Sequence, residues 1–276
     1  MRTFNLYVSG ILYGRLRTGN GQTFICRLDV FSGEPGDWEP LTEKENGFYK
    51  SFVKMDFLSI AEKLELYEKE LKGMGEISFA GERYTSEDGC SYLQRDIKFP
   101  NNKLMKAGRL LAVTCPAREM VSVLVEEGAE EETSLKMWRE TWPDEKLYAV
   151  TYAGRFDVPM RDGVRLSTDV YLPGGLKEAV PAVLVRTPYG KEDGCEVYYR
   201  YIQRGYAVVI QDVRGRSLSE GEWLPNYYEV EDGDDTLNWI AAQSWSSQKV
   251  GMVGGSYLGY VQWAAAASGN PYLKAL

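Results

Sequence analysis

The chain has 276 residues and a mass of 31.2 kDa, room for one large domain or two ordinary ones. With 44% hydrophobic and 26% charged residues, disorder over most of the length is excluded. The 32 basic residues against 40 acidic ones leave a net charge of −8, the wrong sign for a phosphate-binding surface, so no nucleic-acid partner is expected.

The N-terminus, Met1-Arg2-Thr3-Phe4-Asn5, enters strand-like sequence directly, without a basic-then-apolar leader. No apolar run approaches the roughly 18 residues of a membrane span. These features predict a cytoplasmic protein with reduced thiols and no membrane partner. Cys26, Cys90, Cys115 and Cys195 are dispersed, with no C-x-x-C pair, and no metal or cofactor is expected.

Residues 1–150 read as a β-rich α+β domain. Segment 22–30 alternates, Phe24, Cys26, Leu28 and Val30 to one side and Thr23, Arg27 and Asp29 to the other, as a half-buried strand does. Segments 4–13, 76–84, 91–99, 109–114 and 119–126 also read as strands. One helix is predicted over 56–72: Phe57, Ile60, Ala61, Leu64, Tyr67 and Leu71 share a stripe, Asp56 caps the start and Gly73 the end. The acidic run 126–132 reads as a solvated loop. No residue in this half carries recognisable chemistry.

From about 151 the pattern changes. Phe156, Val158 and Met160 alternate into Arg161-Asp162-Gly163, and Val164, Leu166, Thr168, Val170 and Leu172 alternate out, a hairpin signal. Apolar runs of buried-strand type follow at 181–187, 206–213 and 249–253. Between and after them helices are predicted at 194–204, from the acidic segment 231–235 through Ala241, and over 257–268. Strand and helix in alternation indicate an α/β fold with a parallel sheet.

The last strand-to-helix junction is Gly254-Gly255-Ser256-Tyr257-Leu258-Gly259. Serine at the apex of such a turn, with glycines around it, is the pattern of a nucleophile elbow. Small neighbours let strand and helix approach, and the helix N-terminus directs partial positive charge at a developing oxyanion. The second glycine falls one position late, at Gly259 rather than 258. Spacing alone therefore leaves a plain glycine-rich or phosphate-binding turn open.

Four motifs in order strengthen the first reading: Val158 to Leu166, Val185-Arg186-Thr187-Pro188-Tyr189-Gly190-Lys191, Gln211-Asp212-Val213-Arg214-Gly215-Arg216 with Ser219-Glu220-Gly221, and Gly255 to Gly259. With these, residues 152–276 resemble the N-terminal part of the α/β-hydrolase domain of the cocaine-esterase/NonD and X-Pro dipeptidyl-peptidase group of serine hydrolases. The resemblance implies Ser256 as nucleophile, the Tyr257 backbone N–H as one oxyanion donor and the Tyr189 hydroxyl as the other. Taken alone, Tyr189 also reads as ordinary aromatic packing. Asp212 and Arg214 read as an ion pair holding loops, while Glu220, Trp223 and Tyr227 either line a pocket or simply pack.

The pattern breaks on one number: the chain contains no histidine. That excludes His-ligated metals, histidine bases and a complete Ser-His-Asp triad within these residues. In this fold the triad acid and histidine follow the serine, and the chain ends 20 residues after Ser256. The expectation is an α/β-hydrolase fold truncated after the elbow helix, inactive alone, from a parent acting on a small-molecule ester, amide or peptide. An X-Pro dipeptidyl-peptidase-like peptidase and a non-catalytic binding module are the alternatives.

Overall fold

A computed structural model describes every residue except Arg118, Glu119, Asp144 and Asp193. It divides into two units, Met1–Asp29 with Glu34–Asp144, and Val30–Gly33 with Glu145–Leu276. No helix among the described residues is long and apolar enough to cross a membrane. Cys26, Cys90, Cys115 and Cys195 are free thiols.

The first unit is built on a ten-stranded antiparallel sheet. Its strands are β1 (Arg2–Val8), β2 (Ile11–Gly19), β3 (Gln22–Leu28), β4 (Pro35–Pro40), β5 (Gly75–Phe79), β6 (Glu82–Ser86), β7 (Ser91–Gln94), β8 (Asn102–Lys106), β9 (Arg109–Pro116) and β10 (Val121–Glu126). They lie in the order β4-β3-β2-β1-β10-β9-β8-β7-β6-β5. Two expected strands are in fact hairpins. Segment 4–13 turns at Ser9-Gly10 and segment 76–84 at Ala80-Gly81, where successive positive φ values make two-residue turns. The strand expected over 119–126 begins on Glu119, which lies outside the described residues. In β3 the alternation is incomplete, because Ile25 and Cys26 are both buried.

The helix expected over 56–72 is two short helices, α2 (Phe57–Glu62) and α3 (Leu64–Glu70), with α1 (Glu43–Phe52) before them. Asp56 does cap α2, accepting from Ser59 N at 3.0 Å, but Lys63 at ψ 4° interrupts the helix and reaches Glu82 at 2.8 Å. The apolar stripe survives the break, since Phe57, Ile60, Leu64, Tyr67 and Leu71 are all buried. The helix closes at Leu71, before Gly73. The acidic run 126–132 is not merely solvated. Glu126 pairs with Arg2 and Arg109, Glu131 with Arg139 and Glu132 with Lys106, around a 3-10 turn that leads into α4 (Leu135–Thr141).

The second unit has a six-stranded sheet. Its strands are β11 (Val150–Pro159), β12 (Arg165–Pro173), β13 (Val180–Thr187), β14 (Ala207–Asp212), β15 (Ser246–Met252) and β16 (Leu273–Ala275), in the order β11-β12-β14-β13-β15-β16. From β14 to β16 the pairings are parallel, and β12 meets β14 antiparallel. The crossovers carry α5 (Tyr199–Gln203), α6 (Glu229–Ala241) and α7 (Tyr257–Ala267). The helix expected over 194–204 is shorter, a 3-10 turn over Cys195–Tyr198 and then α5.

Both faces of this sheet are covered, which is why its strands are continuous apolar runs. Ala182, Leu184, Ala207 and Val209 pack with Leu237 and Ile240 of α6 and Val261 and Ala265 of α7. Val183, Val185, Val208 and Ile210 point the other way, onto Tyr199 and Ile202. Leu184, Val209 and Val250 are wholly buried, each worth about 1.5–3 kcal/mol relative to exposure. Helices α6 and α7 touch at Gly233, where a Cβ would lie 2.9 Å from that of Ala265.

Candidate active site

β14, β13 and β15 run side by side in the same direction, so their C-terminal ends share one sheet edge. In open α/β sheets that edge is where ligands bind. Tyr189 follows β13, Asp212 ends β14, and Ser256 stands between β15 and α7.

Ser256 has φ 61° and ψ −125°. A non-glycine residue in such a region costs about 1–3 kcal/mol, held only by its surroundings. Four hydrogen bonds hold the corner. The Gln262 side-chain amide donates to Gly254 O and Leu258 O, both at 2.8 Å, while Gly259 N and Tyr260 N donate to Ser256 O at 3.0 and 3.1 Å. Gly254 has φ 129°, and a Cβ there would lie 2.5 Å from Leu258 Cβ. The displaced glycine is thereby explained: Leu258 occupies position 258 because its side chain fills the space beside Gly254 and joins the buried cluster. The Ser256 hydroxyl is exposed and caps no N–H of α7. The Tyr257 N–H opens the first turn, where helical N–H groups lack intrahelical acceptors.

Tyr189 is 61% exposed, and its N–H donates to Thr187 Oγ1 at 3.1 Å. The flanks of its loop are fixed: Arg216 Nε donates to Pro188 O at 2.9 Å and Lys191 N to Asp212 Oδ1 at 2.8 Å. The structure thus brings Tyr189, Ser256 and Tyr257 to one sheet edge, with the ring of Tyr189 outside the core.

The expected Asp212–Arg214 ion pair is not formed. Asp212 is buried and spends its two carboxylate oxygens on the N–H groups of Lys191 and Leu218, and burial pushes its carboxyl up. Arg214 points instead to Asp232 at 2.6 and 3.1 Å and to Asp162 at 2.6 and 3.2 Å. The hydrogen bond it donates to Asp232 is the largest influence raising its guanidinium pKa. Glu220 accepts from Arg165 N at 3.1 Å and Trp223 lies under Arg216 at 4.4 Å, whereas Tyr227 is mostly exposed.

A charged network behind the corner has no counterpart in the sequence reading. The Tyr257 hydroxyl donates to Glu229 Oε1 at 2.7 Å and accepts from Asn226 N at 3.2 Å. Burial, then the bond to Glu229, pushes that phenol up. Glu229 Oε2 accepts from Arg186 Nη1 at 2.6 Å, and Arg186 Nε donates to Gln211 Oε1 at 2.9 Å. Arg186, Gln211 and Thr236 are wholly buried. Glu229 lies 43 residues from Arg186; only the fold makes them partners. The one local signal was the acidic start of α6, which is generic to helix N-termini.

Residues 162–276 match the family model described as X-Pro dipeptidyl-peptidase (S15 family). The cocaine esterase of Rhodococcus sp. (strain MB1 Bresler) is 49% identical over 125 residues, which cover 43% of this chain and 22% of that protein. A CocE/NonD family hydrolase from Staphylococcus aureus is 27% identical over 46% of this chain and 26% of its own, with a TM-score of 0.41. The chain spans under a quarter of the length of the curated relatives it matches. Residues 162–276 are thus similar to hydrolases of the CocE/NonD, X-Pro dipeptidyl-peptidase-like type.

Proposed function

We propose that the second unit supplies the nucleophile and oxyanion hole of a serine hydrolase acting on a small-molecule ester or amide. The observation that carries this reading is Ser256, held at φ 61° on the strand–helix corner with an exposed hydroxyl. Ser256 Oγ attacks the substrate carbonyl carbon and its proton passes to a base. The resulting oxyanion accepts from the Tyr257 N–H and the Tyr189 hydroxyl. Collapse expels the alcohol or amine and leaves an acyl-serine, which water then hydrolyses. The 276 residues contain no histidine, and Asp212 is buried with both oxygens engaged. Neither a histidine of these residues nor Asp212 therefore supplies the base.

The family match supports a second reading, an X-Pro dipeptidyl-peptidase. The chemistry is the same, with an added requirement for a group that receives the free α-ammonium of the peptide. Turnover of p-nitrophenyl acetate against that of an Xaa-Pro p-nitroanilide separates the two.

Fluorophosphonate labelling of the whole protein tests the common core. Labelling is expected at Ser256 and lost in Ser256→Ala; labelling that persists in the variant places the nucleophile elsewhere. The 276 residues alone should hydrolyse p-nitrophenyl acetate no faster than their Ser256→Ala variant. Turnover that vanishes in that variant would mean a base other than histidine serves Ser256.

A further inference from the structure

The first unit contains a cleft of about 460 Å³ between its helices and the β6–β8 side of its sheet. Four lysines line it, Lys50, Lys54, Lys98 and Lys103, against only Asp56 and Glu82. That is a local inversion of sign in a chain of net charge −8. Both carboxylates are committed, Asp56 to Lys50 at 3.0 Å and Glu82 to Lys63 at 2.8 Å and the Tyr84 hydroxyl at 2.6 Å. Among the described residues, Lys54, Lys98 and Lys103 pair with no carboxylate.

Lys103 is 1% exposed. Its ammonium donates to the neutral oxygens of Asn101 at 2.8 Å and Gln94 at 3.2 Å and stands 4.6 Å from the ring centres of Tyr67 and Tyr84. A buried charge without a counter-charge is costly, and a fold retains one at the expense of stability. Burial pulls its pKa down to about 8, so at neutral pH the charge persists. Lys54 holds φ 60°, where glycine is the ordinary occupant, and its ammonium lies 5.4 Å from the Phe99 ring centre, with that of Lys98 at 5.7 Å from the same ring. Phe99, Ile60 and Ile97 give the cleft an apolar wall.

We propose that this cleft binds a small organic carboxylate, its charge received by Lys103, Lys54 and Lys98 and its apolar body laid against Phe99, Ile60 and Ile97. The three ammoniums supply what the protein's own carboxylates leave unmatched, and the wall distinguishes such a ligand from a bare anion. This site is separate from the acyl-transfer chemistry and does not depend on it.

Isothermal titration of the full chain with phenylacetate, phenylacetamide and inorganic phosphate tests the proposal. Phenylacetate should bind at one site per chain, with the amide about tenfold weaker, the worth of one charge-assisted hydrogen bond. Lys103→Met should weaken phenylacetate by about tenfold, and so should Lys54→Gln with Lys98→Gln, which leaves the buried lysine in place. Equal affinity for acid and amide, binding unchanged in the Lys54/Lys98 double variant, or no saturation up to about 10 mM phenylacetate would overturn the proposal. Phosphate binding more tightly than phenylacetate would overturn the apolar part of it.

Discussion

At the scale of single residues, side chain and backbone play different parts at the same corner. The Tyr257 hydroxyl is engaged with Glu229, while the group assigned to the oxyanion is its N–H. Tyr257→Phe should therefore leave kcat for p-nitrophenyl acetate in the whole protein within about tenfold, losing one hydrogen bond of about 1 kcal/mol. Tyr189→Phe should lower kcat by about 10²–10³, because the donor acts on a charge present only in the transition state. Steady-state kinetics that reverse this order would reverse the assignment. Glu229→Gln leaves the wholly buried Arg186 with Asp232 at 3.8 Å as its remaining carboxylate; the loss, about 3–5 kcal/mol, is read by urea denaturation. Lys103 predicts a pH dependence. Its folded pKa of about 8 lies below the unfolded value, so between them the unfolded chain binds more protons and stability rises with pH. The wild type should gain about 2 kcal/mol on Lys103→Met from pH 8 to pH 10. The Cys115 thiol, pushed up to about 11 by burial, acts oppositely above pH 9 but is common to both proteins. Parallel stability curves would show that the amine does not titrate there.

At the scale of elements, the glycines around Ser256 are not equivalent. Gly254 combines φ 129° with contact at 2.5 Å, whereas a Cβ on Gly255 meets nothing within 4 Å. Gly254→Ala should destabilise the second unit by about 2–3 kcal/mol, and Gly255→Ala by under about 1 kcal/mol. Thermal unfolding of the two variants side by side checks this; equal shifts would mean that the corner relaxes freely. Helix α1 carries a signal in the sequence itself: Thr42-Glu43-Lys44-Glu45 is a capping box, with Thr42 Oγ1 accepting from Glu45 N at 3.3 Å and Thr42 N donating to Glu45 at 3.1 Å. The break at Lys63 left no such mark. The apolar spacing runs through it unchanged, and the lysine's partner Glu82 belongs to a distant strand.

At the scale of the whole molecule, the division of the chain is not a single cut in sequence. Val30–Gly33 belongs with the second unit, where Val150 N donates to Val30 O at 2.8 Å and Phe31 meets Tyr199 edge-on at 5.9 Å. Although Phe31 lies among residues of the first half and is 53% exposed, Phe31→Ala should lower the stability of the second unit. The expected loss is about 0.5–1.5 kcal/mol, the worth of one aromatic pair. Hydrogen exchange resolved by residue would detect it as faster exchange in β11 and α5; a change confined to β3 and β4 would assign the segment to the first unit.

Sequence by itself determined what depends on near neighbours. The runs at 181–187 and 206–213 had to be strands buried on both faces, because each is short, β-branched and without a polar side. The glycine-flanked Ser256 had to stand at a turn, since its neighbours tolerate backbone conformations that other residues avoid. Tertiary structure alone decided the charge partners. Arg214 chose Asp232 and Asp162, Arg186 chose Glu229, and Lys103 was left donating to amides among rings, paired with no carboxylate among the described residues. A salt bridge is chosen by which side chains the packed elements bring within a few ångströms, and separation along the chain says nothing of that distance once the chain has folded.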